Sequence, residues 1–221
     1  MTGLKLIQYL KFAFYIFITI GFSSSRADAY VDFFRALDLD DEQRVVALLQ
    51  RGFDPNAPNP DGQPALLLAL QLGSPKVARV LLEHPGLKLD ATNPSGETAA
   101  MMAALRGEVA VMLRLLERGA RAESGGWTVL HYAAAAPDAG AARALLARAP
   151  ASPAPAIDAL GPTGLTPLMM AARWGSGDTV ELLMSLGADP TRRNPQGFTS
   201  VDYARGSGRE WLVELMQRPR R

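Results

Sequence analysis

The sequence predicts an all-α fold, a solenoid of stacked helix–turn–helix units joined by β-turn and hairpin loops. Three observations carry that prediction. Gly62, Gly96, Gly126, Gly164 and Gly197 recur at steps of 34, 30, 38 and 33 residues, and each opens a similar run. A second small residue stands eleven positions on, as Gly73, Gly107, Gly175 and Gly208, with Pro137 as the exception. Paired leucines then follow at 81–82, 115–116, 145–146 and 182–183. Self-similarity at this period marks a repeat architecture. A single short helix pair cannot bury its own apolar face, so such units must stack on one another.

The elements begin with a segment that is not part of the array. Lys5 and Lys11 precede an uncharged run of eleven residues, Phe12 to Phe22. As a helix at ~1.5 Å per residue, that run covers about half of a ~30 Å hydrocarbon core. Polar Ser23 to Arg26 follow, and Ala27 and Ala29 place small residues at the two positions a signal peptidase reads. Residues 1–29 therefore read as a cleaved signal peptide, with an uncleaved inner-membrane anchor as the alternative. The mature chain then begins at Tyr30. Counting back from Gly52 puts Ala36 and Leu48-Leu49 in repeat register, so the first unit starts at the same place.

Six units follow, at 30–60, 61–94, 95–124, 125–162, 163–195 and 196–218, with a basic tail at 219–221. The fullest copy is Gly164-Leu165-Thr166-Pro167-Leu168-Met169-Met170-Ala171-Ala172. Its glycine suits a turn with positive φ, its threonine can cap a helix, and its proline sits in the first helical turn. The alanine pair allows neighbouring helices to approach closely, and the leucine pair fills the space between them. The loop before Gly126 is three residues short, and Ala149 to Ala156 forms an Ala/Pro extension, so curvature should be irregular around the third to fifth units. The last unit, ending at Trp211 to Met216, is expected to turn polar residues outward as a terminal cap.

Gly164 to Ala172, Gly126-Trp127-Thr128-Val129-Leu130-His131-Tyr132-Ala133-Ala134 and Gly187-Ala188-Asp189 together resemble the ankyrin repeat, with its T-P-L-H-x-A-A run, leucine pair and closing G-A-D. The resemblance covers about residues 30–218. It implies a monomeric module that binds another protein through a concave face lined by turn tips and first helices. By register the tips are Gln63, Glu97, Trp127, Leu165 and Phe198, and Leu105, Arg106, Ala135, Ala136, Arg173 and Trp174 face the groove. Trp and Arg are the side chains that most often dominate interface energies.

Chemistry of other kinds is thinly supplied. The chain has no cysteine and only His84 and His131, which removes thiol catalysis, disulfides and zinc–thiolate sites. His131 sits where the family's histidine bonds backbone, and His84 stands at a helix end. Met101-Met102 and Met169-Met170 share a register and read as core. Asp38, Asp40, Asp41 and Glu42 lack calcium-loop spacing and read as acidic residues entering a helix. No metal, cofactor or catalytic constellation is expected, and the chain reads as no enzyme.

Charge leads the same way. The net charge of +1 belongs to the leader: residues 30–221 carry 20 basic and 21 acidic side chains. That balance excludes the basic footprint of a nucleic-acid binder. Membrane contact is expected only through the leader before cleavage. The leader and the Arg-rich, Lys-poor remainder point to export, into a Gram-negative periplasm or beyond. The alternatives are an immunity or inhibitor protein acting on a toxin, which the near-neutral charge disfavours, and a hydrolytic enzyme.

Overall fold

Twelve short helices joined by turns account for most of the described residues, 24–148 and 157–217, of the computed structural model. The predicted export run, the Ala/Pro extension and the basic tail lie wholly or almost wholly outside them. Among the described residues no helix is long and apolar enough to cross a membrane. The fold is the expected helical repeat, with little strand. The chain divides into two compact units, Met1–Ala99 and Ala100–Arg221.

The first unit holds α1 (Ser24–Asp38), α2 (Glu42–Gln50), α3 (Ala65–Leu72) and α4 (Pro75–Glu83). First helices pack on first helices and second on second: α1 meets α3, and α2 meets α4. Burial of Phe33, Phe34, Leu37, Val45, Leu67 and Leu81 forms the core. Ala27 and Ala29, the expected cleavage positions, are half-buried on α1, and Tyr30 is buried with its hydroxyl donating to the Pro58 carbonyl at 2.8 Å.

Two residues of the acidic cluster, Asp40 and Asp41, cap helix starts. Asp41 accepts from the Arg44 N–H at the start of α2. Asp40 reaches into the next repeat, where its Oδ1 accepts from the Lys76 and Val77 N–H groups at 3.0 Å each. Ser74, which precedes α4, leaves those donors open because its hydroxyl donates to the Leu37 carbonyl instead. A helix start in one repeat is thus completed by a carboxylate of the repeat before it.

The second unit follows the same plan. It contains most of α5 (Ala99–Leu105), then α6 (Val109–Glu117), α7 (Val129–Ala134), α8 (Gly140–Ala147), α9 (Pro167–Arg173), α10 (Gly177–Ser185), α11 (Ser200–Gly206) and α12 (Glu210–Gln217). Between α6 and α7 an antiparallel ladder pairs β1 (Glu123–Ser124) with β2 (Trp127–Thr128). The alanine pairs Ala133-Ala134 and Ala171-Ala172 are fully buried. A β-carbon at Gly175 would collide with the Ala134 carbonyl oxygen, so close helix approach is what keeps that position small. One leucine of each pair is buried and the other half-buried: Leu115, Leu145 and Leu183 against Leu116, Leu146 and Leu182.

Thr128, Thr166 and Thr199 each accept the N–H three residues on, and that third residue answers the threonine's own N–H. The answering group differs each time: His131 Nδ1 at 3.2 Å, Met169 Sδ at 3.5 Å and Asp202 Oδ2 at 2.8 Å. The capping box therefore tolerates three chemistries in one slot, provided an acceptor is present.

The terminal cap departs from expectation in one respect. Glu210, Glu214 and Gln217 are exposed, but so is Trp211, at 55%. Its ring covers Gly177, whose missing side chain leaves the space for it, and the Arg209 guanidinium lies 5.6 Å from its centre.

Candidate functional site

The turns that present the predicted tip residues share a design the glycine register alone does not reveal. Asn59, Asn93 and Asn194 each open an Asn-Pro-x-Gly run and are buried. The side-chain oxygen of each accepts two backbone N–H groups: Asp61 and Gln63, Ser95 and Glu97, Gln196 and Phe198. The asparagine thereby fixes the backbone of the tip residue itself. Successive turns also stack, with Pro94 over Gly62, Pro162 over Gly126 and Pro195 over Gly164.

The predicted residues fall into three groups. Arg173, Trp174 and Phe198 come together through Tyr203. The Arg173 guanidinium carbon lies 4.4 Å from the Trp174 ring centre and 5.8 Å from that of Tyr203. Tyr203 in turn meets Phe198 edge-on at 6.2 Å, and its hydroxyl accepts from Asn194 Nδ2 at 2.8 Å. Trp174 and Phe198 are 50% and 52% exposed, and Arg173 is exposed. The first residue after a capping-box helix, the last residue of that helix and the next turn tip thus form one continuous aromatic and cationic surface.

Trp127 belongs to a second group. It is half-buried, lies over Gly161, and meets His131 and Tyr132 edge-on at 5.2 and 6.5 Å. His131 beneath it is fully buried; its Nδ1 accepts from the Thr128 N–H, so its Nε2–H points at the carbonyls of Ala159 and Leu165, at 3.1 and 3.0 Å. Burial holds its pKa below the usual histidine value. The ring is a neutral strut between two repeats.

The remaining positions stand apart. Leu165 is a correction: its side chain is buried, at 8% exposure, and only its backbone carbonyl is used, by His131 and Gly161. The turn keeps the backbone bond of the others, from the Gly161 N–H to the Leu165 carbonyl, while the side chain goes into the core. Glu97 lies in the first compact unit and its carboxylate accepts from Asn93 Nδ2 at 2.6 Å. Leu105 is half-buried and Arg106 exposed at the end of α5, and neither shares the ring contacts around Arg173. Ala136 is a second correction: it is fully buried and offers no groove surface, while Ala135 is half-buried. Tyr203, which joins Arg173 to Phe198, was not predicted; its place beside the Thr199 capping box is the signal that would have found it.

Among the described residues no group of three His, Asp or Glu side chains could hold a metal ion. His84 accepts the Gly86 N–H at a helix end. Met101, Met102 and Met169 are buried, as core methionines should be, and Met170 is half-buried.

The family model for ankyrin repeats (three copies) matches residues 33–124, 85–154 and 121–194. A crystal structure titled as that of EF0377, an ankyrin repeat protein, is similar to this chain with a TM-score of 0.66 and 22% identity. The alignment covers 85% of this chain and 98% of that one. No curated protein matches the sequence.

Proposed function

The chain belongs to the ankyrin-repeat proteins, and on that premise we propose that it is an exported, monomeric module that binds another protein and performs no chemistry of its own. Repeats of this family generally mediate protein–protein contacts. The observation that carries the reading is the surface of Arg173, Trp174, Tyr203 and Phe198. Two large aromatic rings stand about half exposed in the second compact unit, where a solvated surface would be polar. Rings and an arginine held against one another are pre-ordered, so docking against them loses little side-chain entropy. Export rests on Lys5, Lys11, the run Phe12 to Phe22 and the Ala27/Ala29 pair, and the periplasm is the compartment these favour.

Affinity capture from the envelope fraction tests the binding claim. The wild-type chain should retain a discrete partner that a Trp174→Ala, Phe198→Ala variant of unchanged melting temperature loses. Equal recovery on both would overturn the assignment. Mass spectrometry of the native protein tests export: a chain starting at Tyr30 supports it, and one starting at Met1 contradicts cleavage.

A further inference from the structure

We infer that Arg173 is a carboxylate-reading residue, and that the partner segment docking on this surface presents an Asp or Glu beside an aromatic or large aliphatic side chain. The inference rests on the protein-binding reading above and specifies the chemistry of what binds.

The argument begins with how the arginines of the last two repeats are used. Residues 163–217 contain five. Arg192 pairs with Asp158 at 3.8 Å, and Arg193 donates to the Gly197 carbonyl at 2.7 Å. Arg205 lies 4.0 Å from Asp202 and 3.9 Å from Glu210. Arg209 donates to the carbonyls of Ala171, Ala172 and Gly175. Arg173 alone of these has no carboxylate or carbonyl acceptor among the described residues. Its guanidinium is instead held by the faces of Trp174 and Tyr203.

Stacking on rings orients a guanidinium without using its N–H groups, which project in the plane of the fork. A planar, oriented fork with open donors matches a carboxylate in geometry and charge. Trp174 lies against it and Phe198 against Tyr203, and both half-exposed rings supply apolar area, so the complementary segment needs an apolar side chain next to its acid. A polyanion such as nucleic acid fits poorly: Asp202 and Glu210 stand at the neighbouring Arg205 and would repel a second phosphate.

Panning a random twelve-residue peptide library on the full chain tests this directly. Wild-type protein should enrich peptides with Asp or Glu within two residues of Phe, Trp, Tyr, Leu or Ile. Changing that acid to its amide in a selected peptide should weaken wild-type binding roughly tenfold, as loss of a charge-assisted pair does. The same change should alter binding to Arg173→Gln by less than about twofold, the signature of a shared interaction in a double-mutant cycle. Arg173→Lys should recover only part of the preference, because an ammonium lacks the fork. Peptides that need Trp174 and Phe198 but show no acid preference would overturn the carboxylate inference and leave the binding surface standing. Enrichment no greater than on Trp174→Ala, Phe198→Ala protein would overturn both. Preference for phosphopeptides over acidic ones, or for single-stranded DNA in a parallel titration, would overturn the inference in favour of phosphate.

Discussion

A β-carbon on Gly161 would stand 2.5 Å from Cζ3 of Trp127, so the indole occupies the space where a side chain at that turn would begin. The corresponding position in three other turns is Asn59, Asn93 or Asn194, whose amide fixes the tip. Here the backbone keeps the same bonds, with the Gly161 N–H to the Leu165 carbonyl at 2.9 Å, but the ring of Trp127 stands in place of the asparagine. Gly161→Ala should destabilise the chain by about 1–3 kcal/mol, the usual cost of overpacking. Urea denaturation would measure it. Gly161→Asn combined with Trp127→Ala should cost less than the sum of the two single changes, since each alone leaves a clash or a gap that the other removes.

Asp40 offers a separate test of coupling between repeats. Asp40→Ala leaves the Lys76 and Val77 N–H groups without their acceptor and puts a residue less suited to φ 51° in a left-handed turn. A loss of about 1–2 kcal/mol is expected, as for other lost helix caps. Asp40→Asn should recover most of it. If both variants melt alike, the contact is incidental.

Arg209 does the same work at the opposite end of a helix. Its guanidinium binds the carbonyls of Ala171 and Ala172, near the end of α9, and of Gly175 just beyond it. A cation there also suits the negative end of the helix dipole. Arg209→Ala should cost about 1.5–3 kcal/mol in equilibrium denaturation, the range for hydrogen bonds from a charged group. Arg209→Lys should recover only part of it, because one ammonium cannot span three carbonyls. A neutral effect would mean that water replaces the guanidinium without loss.

The pH dependence of stability follows from His131. Its folded pKa lies below the ordinary 6.5, so between those values the unfolded chain binds the extra proton. The stabilising contribution is complete above pH 6.5 and is lost as pH falls below it toward the folded pKa. His131→Met, copying the residue in the Met169 slot, should flatten the dependence of the urea midpoint between pH 7.5 and 5.5. An unchanged slope would place the titrating group elsewhere.

Much of this was legible in the sequence, for reasons specific residues make plain. The anchoring glycines, the alanine pairs and Thr128, Thr166 and Thr199 obey local backbone rules, so period and chemistry identify them together. Arg173 and Trp174 end a first helix, and position alone puts them at the surface. The burial of Leu165 was not legible, because register places a residue at a turn without saying which way its side chain packs. The Asn-Pro-x-Gly turns stand in the sequence, but a glycine period alone does not say that the residue three before each glycine is buried and bonded to the tip. Which rings stack on Arg173 is decided by packing between two repeats that no local pattern encodes.

The most direct test of the central claim is site-specific photocrosslinking in living cells. A benzophenone amino acid would replace Phe198 at the binding surface, and Leu160 or Leu186 elsewhere in the same compact unit. Their exposures, 52%, 54% and 52%, are matched, so surface accessibility alone cannot separate them. The account predicts a discrete crosslinked protein at position 198 that disappears when Trp174→Ala is added, and none at 160 or 186. Equal crosslinking at all three, or a band at 198 that survives Trp174→Ala, would contradict it.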